Sequence, residues 1–210
     1  EWFHITRIFG LSSPRSLNNI ALKLLELPIQ SKQAQMTEIL LQQVACIAFD
    51  DLGMSRGASG MTSMIHYRLF EKQCLPLIKK YSSEIDFYAK SLCLSETQAV
   101  IAGIEESFSE NIPNTLVQFL IVESIALEIV NMMYPLYMGC SDIYKDETMI
   151  EYITLHQKIE GEHSLESLKM IELYLDILPN QREVIGHLLQ LRLVPWKKFW
   201  ERSEQLLFHD

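Results

Sequence analysis

The chain has 210 residues, of which 48% are hydrophobic, 10% aromatic and 21% charged, a globular balance that excludes a disordered chain. Its 8 Gly and 7 Pro exclude collagen-like and linker-rich architectures and favour long regular elements. Lys and Arg number 18 against 27 Asp and Glu, a net charge of −9; binding a phosphate backbone needs a basic footprint, so nucleic acid is not an expected partner.

Taken in chain order, residues 1–15 read as a peripheral arm. Residues 16–26 form a first helix, with Leu17, Ile20, Ala21, Leu24 and Leu25 on one face. A second helix covers 32–51, carried by Ile39, Leu40, Val44 and Ile47, until the glycine-rich run 53–60 interrupts it. Residues 61–81 form a third, bent near Pro76. Ser95-Glu96-Thr97-Gln98 is a capping box that opens a helix ending near Ser109. Asn111 and Pro113 start an apolar helix reaching Tyr134. A long helix follows over 146–177, and Asn180 with Glu183 opens a last one, which Pro195 disturbs. The pattern is a single all-α domain, a bundle of seven to eight helices.

Segment 119–138, FLIVESIALEIVNMMYPLYM, imitates a membrane span but contains Glu123, Glu128 and Pro135. A carboxylate at mid-membrane depth costs ~3 kcal/mol, and no Lys or Arg flanks the segment. It reads as the core helix of a bundle, with no membrane span expected. The start, Glu1-Trp2-Phe3-His4, shows no basic stretch before an apolar run, so no signal peptide is expected. Cys46, Cys74, Cys93 and Cys140 lie in no paired spacing and read as reduced thiols of a cytoplasmic protein.

Chemistry concentrates in three places. In the run HQKIEGEH, His156, Glu160 and His163 fall within an arc of about 60° on a helix. Two imidazoles and a carboxylate on one stripe suit a borderline metal ion such as Fe(II), Mn(II) or Zn(II), the plain alternative being a solvated polar face. Lys158 and Glu162 lie off this stripe. Tyr152 is on it, one turn before His156, where it could donate a hydrogen bond or an electron, or simply pack. Second, Glu123 and Glu128 interrupt an otherwise apolar helix about 140° apart. A lone buried carboxylate costs several kcal/mol unless it is neutralised or paired, by a metal ion or by a hydrogen bond. Third, Asp50-Asp51-Leu52-Gly53 and His66-Tyr67-Arg68-Leu69-Phe70 add carboxylates and an imidazole on further segments, which suits a site assembled from several helices.

The order D-D-L-G…H-x-x-L-F, then a Glu inside an apolar helix, then H-x-x-x-E-x-x-H resembles the haem-oxygenase-like diiron oxidases. Within them the resemblance is to the branch typified by the Chlamydia protein associating with death domains, itself related to TenA-type thiaminases. It covers about residues 39–170. The resemblance implies a haem-oxygenase-like bundle with two irons held by Asp51, His66, Glu123, His156, Glu160 and His163, Mn being able to replace one iron. It implies an oxidase or oxygenase that activates O₂ to oxidise a small organic substrate; in that branch a tyrosine is itself consumed as substrate, with no motif here marking which tyrosine corresponds, and a homodimer is compatible with it. That family more often has Glu where Asp51 stands, and a shorter interval than the fourteen residues between Asp51 and His66, so Asp50 is the alternative to Asp51. Glu123, 33 residues before His156, is nearer the family spacing than Glu128.

A ferritin-type diiron bundle needs two Glu-x-x-His pairs on separate helices, and within residues 39–170 only Glu160-x-x-His163 is present. Two other readings differ in class. A TenA-like hydrolase would use one of the four cysteines as nucleophile. A partner-binding helical bundle without catalysis would need no metal. Haem bound by one axial His would leave the clustered carboxylates unexplained.

Overall fold

A computed structural model describes residues 1–54, 65–81, 93–109 and 111–208. Among them run seven α-helices and no strand: α1 Trp2–Leu25, α2 Lys32–Asp51, α3 His66–Tyr81, α4 Ser95–Ser109, α5 Ile112–Gly139, α6 Glu151–Ile177 and α7 Arg182–Phe208. This is the expected all-α bundle around one continuous core. The central helix is α5, packed against α1, α4, α6 and α7; α6 also meets α2 and α3, and α1 lies against α2, α3 and α4.

The start of the chain corrects the sequence reading. Residues 1–15 are not an arm but the first half of α1, with Trp2, Phe3, Ile5 and Phe9 buried. Leu-Ser-Ser-Pro-Arg-Ser over 11–16 reads as a loop, yet the helix continues through Pro14. Proline removes one amide bond, here toward the carbonyl of Gly10, but its φ is helical. Burial of the aromatic half outweighs that loss. Phe9 meets Phe108 of α4 and Phe119 of α5 at ring separations of 5.6 and 5.7 Å, and Trp2 meets Trp196 of α7 at 6.2 Å. These contacts join the first helix to three others.

The end of α2 is defined sharply. Gly53 takes a φ of 76°, a conformation open to glycine at little cost. Its amide donates to the Asp50 carbonyl (2.8 Å) and the Met54 amide donates to the Phe49 carbonyl (2.9 Å), the paired closure of a Schellman motif. Asp50 and Asp51 are thereby held in the last helical turn. The rest of the glycine-rich run, and the expected start of the third helix at 61–64, lie outside the described residues.

Remaining differences are local. The expected box at Ser95 does not close: Gln98 Nε2 donates to the Cys93 carbonyl (2.8 Å), and the Ser95 hydroxyl donates to Glu96. Asp146 caps a 3₁₀ turn, Glu147–Ile150, rather than the long helix itself. Pro76 and Pro195 sit inside α3 and α7 without ending them. Asn111 caps α5 by accepting from the Asn114 amide, as the sequence suggests, and α5 runs on past Tyr134 to Gly139. Among the described residues, α5 is the one helix long and apolar enough to cross a membrane by length and composition. Here its buried face carries Asn114, Thr115, Gln118 and Glu123 as well as apolar residues.

Candidate metal centre

Four helices bring the six residues singled out in the sequence to one buried place. Asp51 comes from the last turn of α2, His66 from the first turn of α3, Glu123 from the middle of α5, and His156, Glu160 and His163 from one face of α6. All six are between 3% and 9% exposed, so the stripe on α6 is not a solvated face. Glu128, on the far side of α5, is exposed, as are Lys158 and Glu162.

The side chains form an unbroken string. Asp51 Oδ1 lies 3.5 Å from His66 Nδ1, and the His66 ring meets the His156 ring edge-on at 4.7 Å. His156 Nε2 is 3.6 Å from Glu160 Oε1. His163 Nδ1 is 3.7 Å from Glu160 Oε2 and 3.4 Å from Glu123 Oε2. One donor atom each from Glu123, Glu160 and His163 lies within 4.8 Å of the others. The spacing explains the convergence on α6: positions 156, 160 and 163 stack over two turns of one face.

The ring orientations are set by other bonds. His156 Nδ1 pairs with the Tyr152 carbonyl at 2.7 Å; a carbonyl only accepts, so Nδ1 carries the proton and Nε2 offers its lone pair toward Glu160. On His163, Nε2 lies 3.1 Å from Asp50 Oδ2, which leaves Nδ1 toward Glu123 and Glu160. Asp50 and Asp51 are successive residues about 100° apart on the helix. They therefore serve different imidazoles.

Burial and proximity distort the acid–base character of the group. Burial raises Asp51, an effect that His66 opposes. Burial also pushes Glu123 up, but the hydrogen bond and charge of His163 pull it below the ordinary range. Glu160 stands well above its ordinary value, first from burial and then from the negative charge of Glu123. Burial, and next the neighbouring His66, press His156 far down. His163 goes the other way: burial lowers it, but Asp50, Glu123 and Glu160 together hold it well above 6.5. Several buried atoms face the centre with no hydrogen-bond partner: Asp51 Oδ2, both nitrogens of His66, Glu123 Oε1 and Glu160 Oε2. Such atoms in an apolar interior are costly unless something else satisfies them. Mixed imidazole and carboxylate donors with orphaned lone pairs fit a borderline metal ion.

Beside the cluster is a cavity of about 20 Å³, lined by Asp51, His66, Glu123, His156 and Glu160 and roofed by Trp2, Ile5, Thr6, Phe9 and Gly10 of α1. Tyr152 lines it too, its ring 3.9 Å from the His156 ring at an interplanar angle of 32° and 4.8 Å from Phe70. Burial and then the charge of Glu160 push the Tyr152 hydroxyl well above its ordinary value, so it keeps its proton. Sequence reasoning missed the roof, because Pro14 and the serines hid the spacing of Trp2, Ile5 and Phe9. It also weighed Asp50 only as a rival ligand, not as the partner of His163.

A larger cavity of about 590 Å³ opens at one end of the bundle, between Leu22, Leu27, Leu40, Ile112, Tyr174 and Leu178. Leu40, Ile112 and Tyr174 are each eleven residues from Asp51, Glu123 and His163, which separates it from the cluster by about 16 Å along the helices. Several of its polar side chains are bonded within the protein: Asn19 to the Phe108 carbonyl, Lys23 to Glu26, Thr37 to the Gln33 carbonyl and Asn111 to Asn114. The smaller cavity is the one with convergent polar groups. No protein-family model, curated protein or solved structure matches the chain.

Proposed function

We propose that this buried cluster holds two iron ions and that the protein is an oxidoreductase that activates O₂ to oxidise a small organic substrate. The observation that carries the reading is the convergence of three imidazoles and three carboxylates in one buried place with polar atoms unsatisfied. The resemblance in residue order to the haem-oxygenase-like diiron oxidases points the same way. Charge supports it as well: Asp51, Glu123 and Glu160, with Asp50 behind His163, are four carboxylates, and two divalent ions cancel them.

Bound irons would supply electrons to O₂ and a Lewis-acidic centre; the remaining chemistry belongs to the chain. His156, Glu160 and His163 on α6 with Glu123 on α5 would hold one side of the centre, and Asp51 with His66 the other. The Tyr152 carbonyl keeps the His156 ring turned so that Nε2 faces inward. The Tyr152 hydroxyl, which burial keeps protonated, can donate a hydrogen bond inside the cavity that its side chain lines. The apolar residues of α1 exclude water, which protects a reactive centre from side reactions. Mn in place of one iron would meet the same donors.

Anaerobic loading with Fe(II), then exposure to O₂ under optical and Mössbauer observation, tests the proposal. Two irons per chain that become ferric on exposure are expected; a chain that takes up no iron overturns it. A cysteine-nucleophile hydrolase finds no comparable support. Cys74 is buried against the Tyr137 hydroxyl at 3.3 Å, and burial pushes its thiol up to about 11, the reverse of activation.

A further inference from the structure

The geometry points to Asp50 as a positioning residue that fixes which nitrogen of His163 faces the metal centre; the inference rests on the metal-binding reading above. His163 has two ring nitrogens that diverge, so one ring cannot offer both to the same ion. Nδ1 faces Glu123 at 3.4 Å and Glu160 at 3.7 Å, while Nε2 meets Asp50 Oδ2 at 3.1 Å. A carboxylate can only accept there. Nε2 therefore keeps its proton, and Nδ1 is the nitrogen turned inward to offer a lone pair to a metal ion. Carboxylates behind metal-bound imidazoles fix the tautomer and ring plane and strengthen the ligand in this way.

The local backbone makes Asp50 suited to this task and unsuited to direct ligation. It occupies the last turn of α2, anchored by the closure at Gly53 in which its own carbonyl accepts from the Gly53 amide. Its side chain is 25% exposed, whereas that of Asp51, which faces His66, is 12% exposed. Asp50 thus stands between His163 and solvent, on the outer side of the imidazole. The tandem Asp-Asp has divided roles: Asp51 toward the centre, Asp50 behind a ligand.

Titration with Co(II) alone, followed optically, separates these roles. Asp50→Ala should weaken uptake about 10–100-fold, whereas Asp50→Asn should recover most of it, because the amide oxygen still accepts from Nε2–H. A direct ligand behaves differently: Asp50→Asn would then be as damaging as Asp50→Ala, and that result overturns the inference. Asp50→Ala binding like the parent also overturns it and leaves the metal reading intact, while a parent that binds no Co(II) overturns both. Far-UV circular dichroism checks that each variant folds. If Asp50→Ala does not, ¹⁵N-histidine NMR of the Zn(II)-loaded parent decides without any variant. A His163 bound through Nδ1 and protonated at Nε2 supports the inference; the opposite tautomer overturns it.

Discussion

Asp50 and Asp51 run against ordinary helix electrostatics. Carboxylates in a last turn face the negative end of the helix dipole, and α2 has no basic residue there to offset them. Residues that break a local rule mark places where something else compensates, and at this point it is a cluster of imidazoles. His156→Ala and His163→Ala are each expected to weaken iron uptake by more than the roughly 10–100-fold typical of outer partners, with helicity retained; metal analysis of the purified variants measures it, and parental uptake in both would refute the role. Glu123→Ala should impair loading and Glu128→Ala should not, since only Glu123 is buried in the cluster. The pH dependence follows from the histidines and Glu160. His163 stands above 6.5 when folded, so its contribution is whole below 6.5 and is lost as pH climbs through the folded value; Glu160 acts in the same sense from 4.5 upward. His156 is held low, and its loss comes as pH falls below 6.5. The metal-free protein should therefore lose stability as pH rises above 6.5, read as a falling thermal midpoint; a rising midpoint would contradict these shifts.

At the scale of elements, α1 covers the centre. Its N-terminal half supplies the roof, and Phe9 ties that roof to Phe108 and Phe119. Phe9→Ala removes a buried ring and should cost about 3–5 kcal/mol in urea unfolding; a loss under about 1 kcal/mol would mean that the first half of α1 is not packed as described. The closure of α2 has a separate signature. Gly53→Ala puts a side chain where φ is 76°, at a cost of about 1–2 kcal/mol. It should also loosen metal binding, because Asp50 and Asp51 lie in the turn that Gly53 ends. Unchanged stability and unchanged uptake would refute that coupling.

For the molecule as a whole, a metal ion held by the cluster would couple its binding to folding. Helices α2, α3, α5 and α6 each contribute donors, so an ion that binds only the assembled site stabilises all four together. At a free metal concentration a hundred times Kd the gain is about 2.7 kcal/mol, or a rise of roughly 5–10 °C in the unfolding midpoint of a chain this size. Differential scanning calorimetry with and without Fe(II) under anaerobic conditions measures it, and an unchanged midpoint would argue against a site built from four helices. A second buried polar device holds the other side of the bundle: Arg192 of α7 donates to Asn114 Oδ1 of α5 through Nε and Nη2, and to Glu106 of α4 through Nη1.

The sequence alone determined the helical class and much of the helix inventory, because apolar spacing, the Asn111 cap and the glycines after Asp51 act locally. It also made the α6 stripe legible: His156, Glu160 and His163 share a face by helix geometry, whatever surrounds them. Glu123 stood out for a similar reason, a carboxylate in a stretch where nearly every neighbour is apolar. What local rules could not supply was which of these faces meet. Pro14 and three serines make residues 11–16 resemble a loop, and only packing against α4, α5 and α7 makes a helix there the lower-energy choice. The division between Asp50 and Asp51 likewise depends on which imidazole each carboxylate encounters, His163 of α6 or His66 of α3. Such meetings join residues more than a hundred positions apart in one case and fifteen in the other, and they are decided by how the helices cross, not by the order of residues along any one of them.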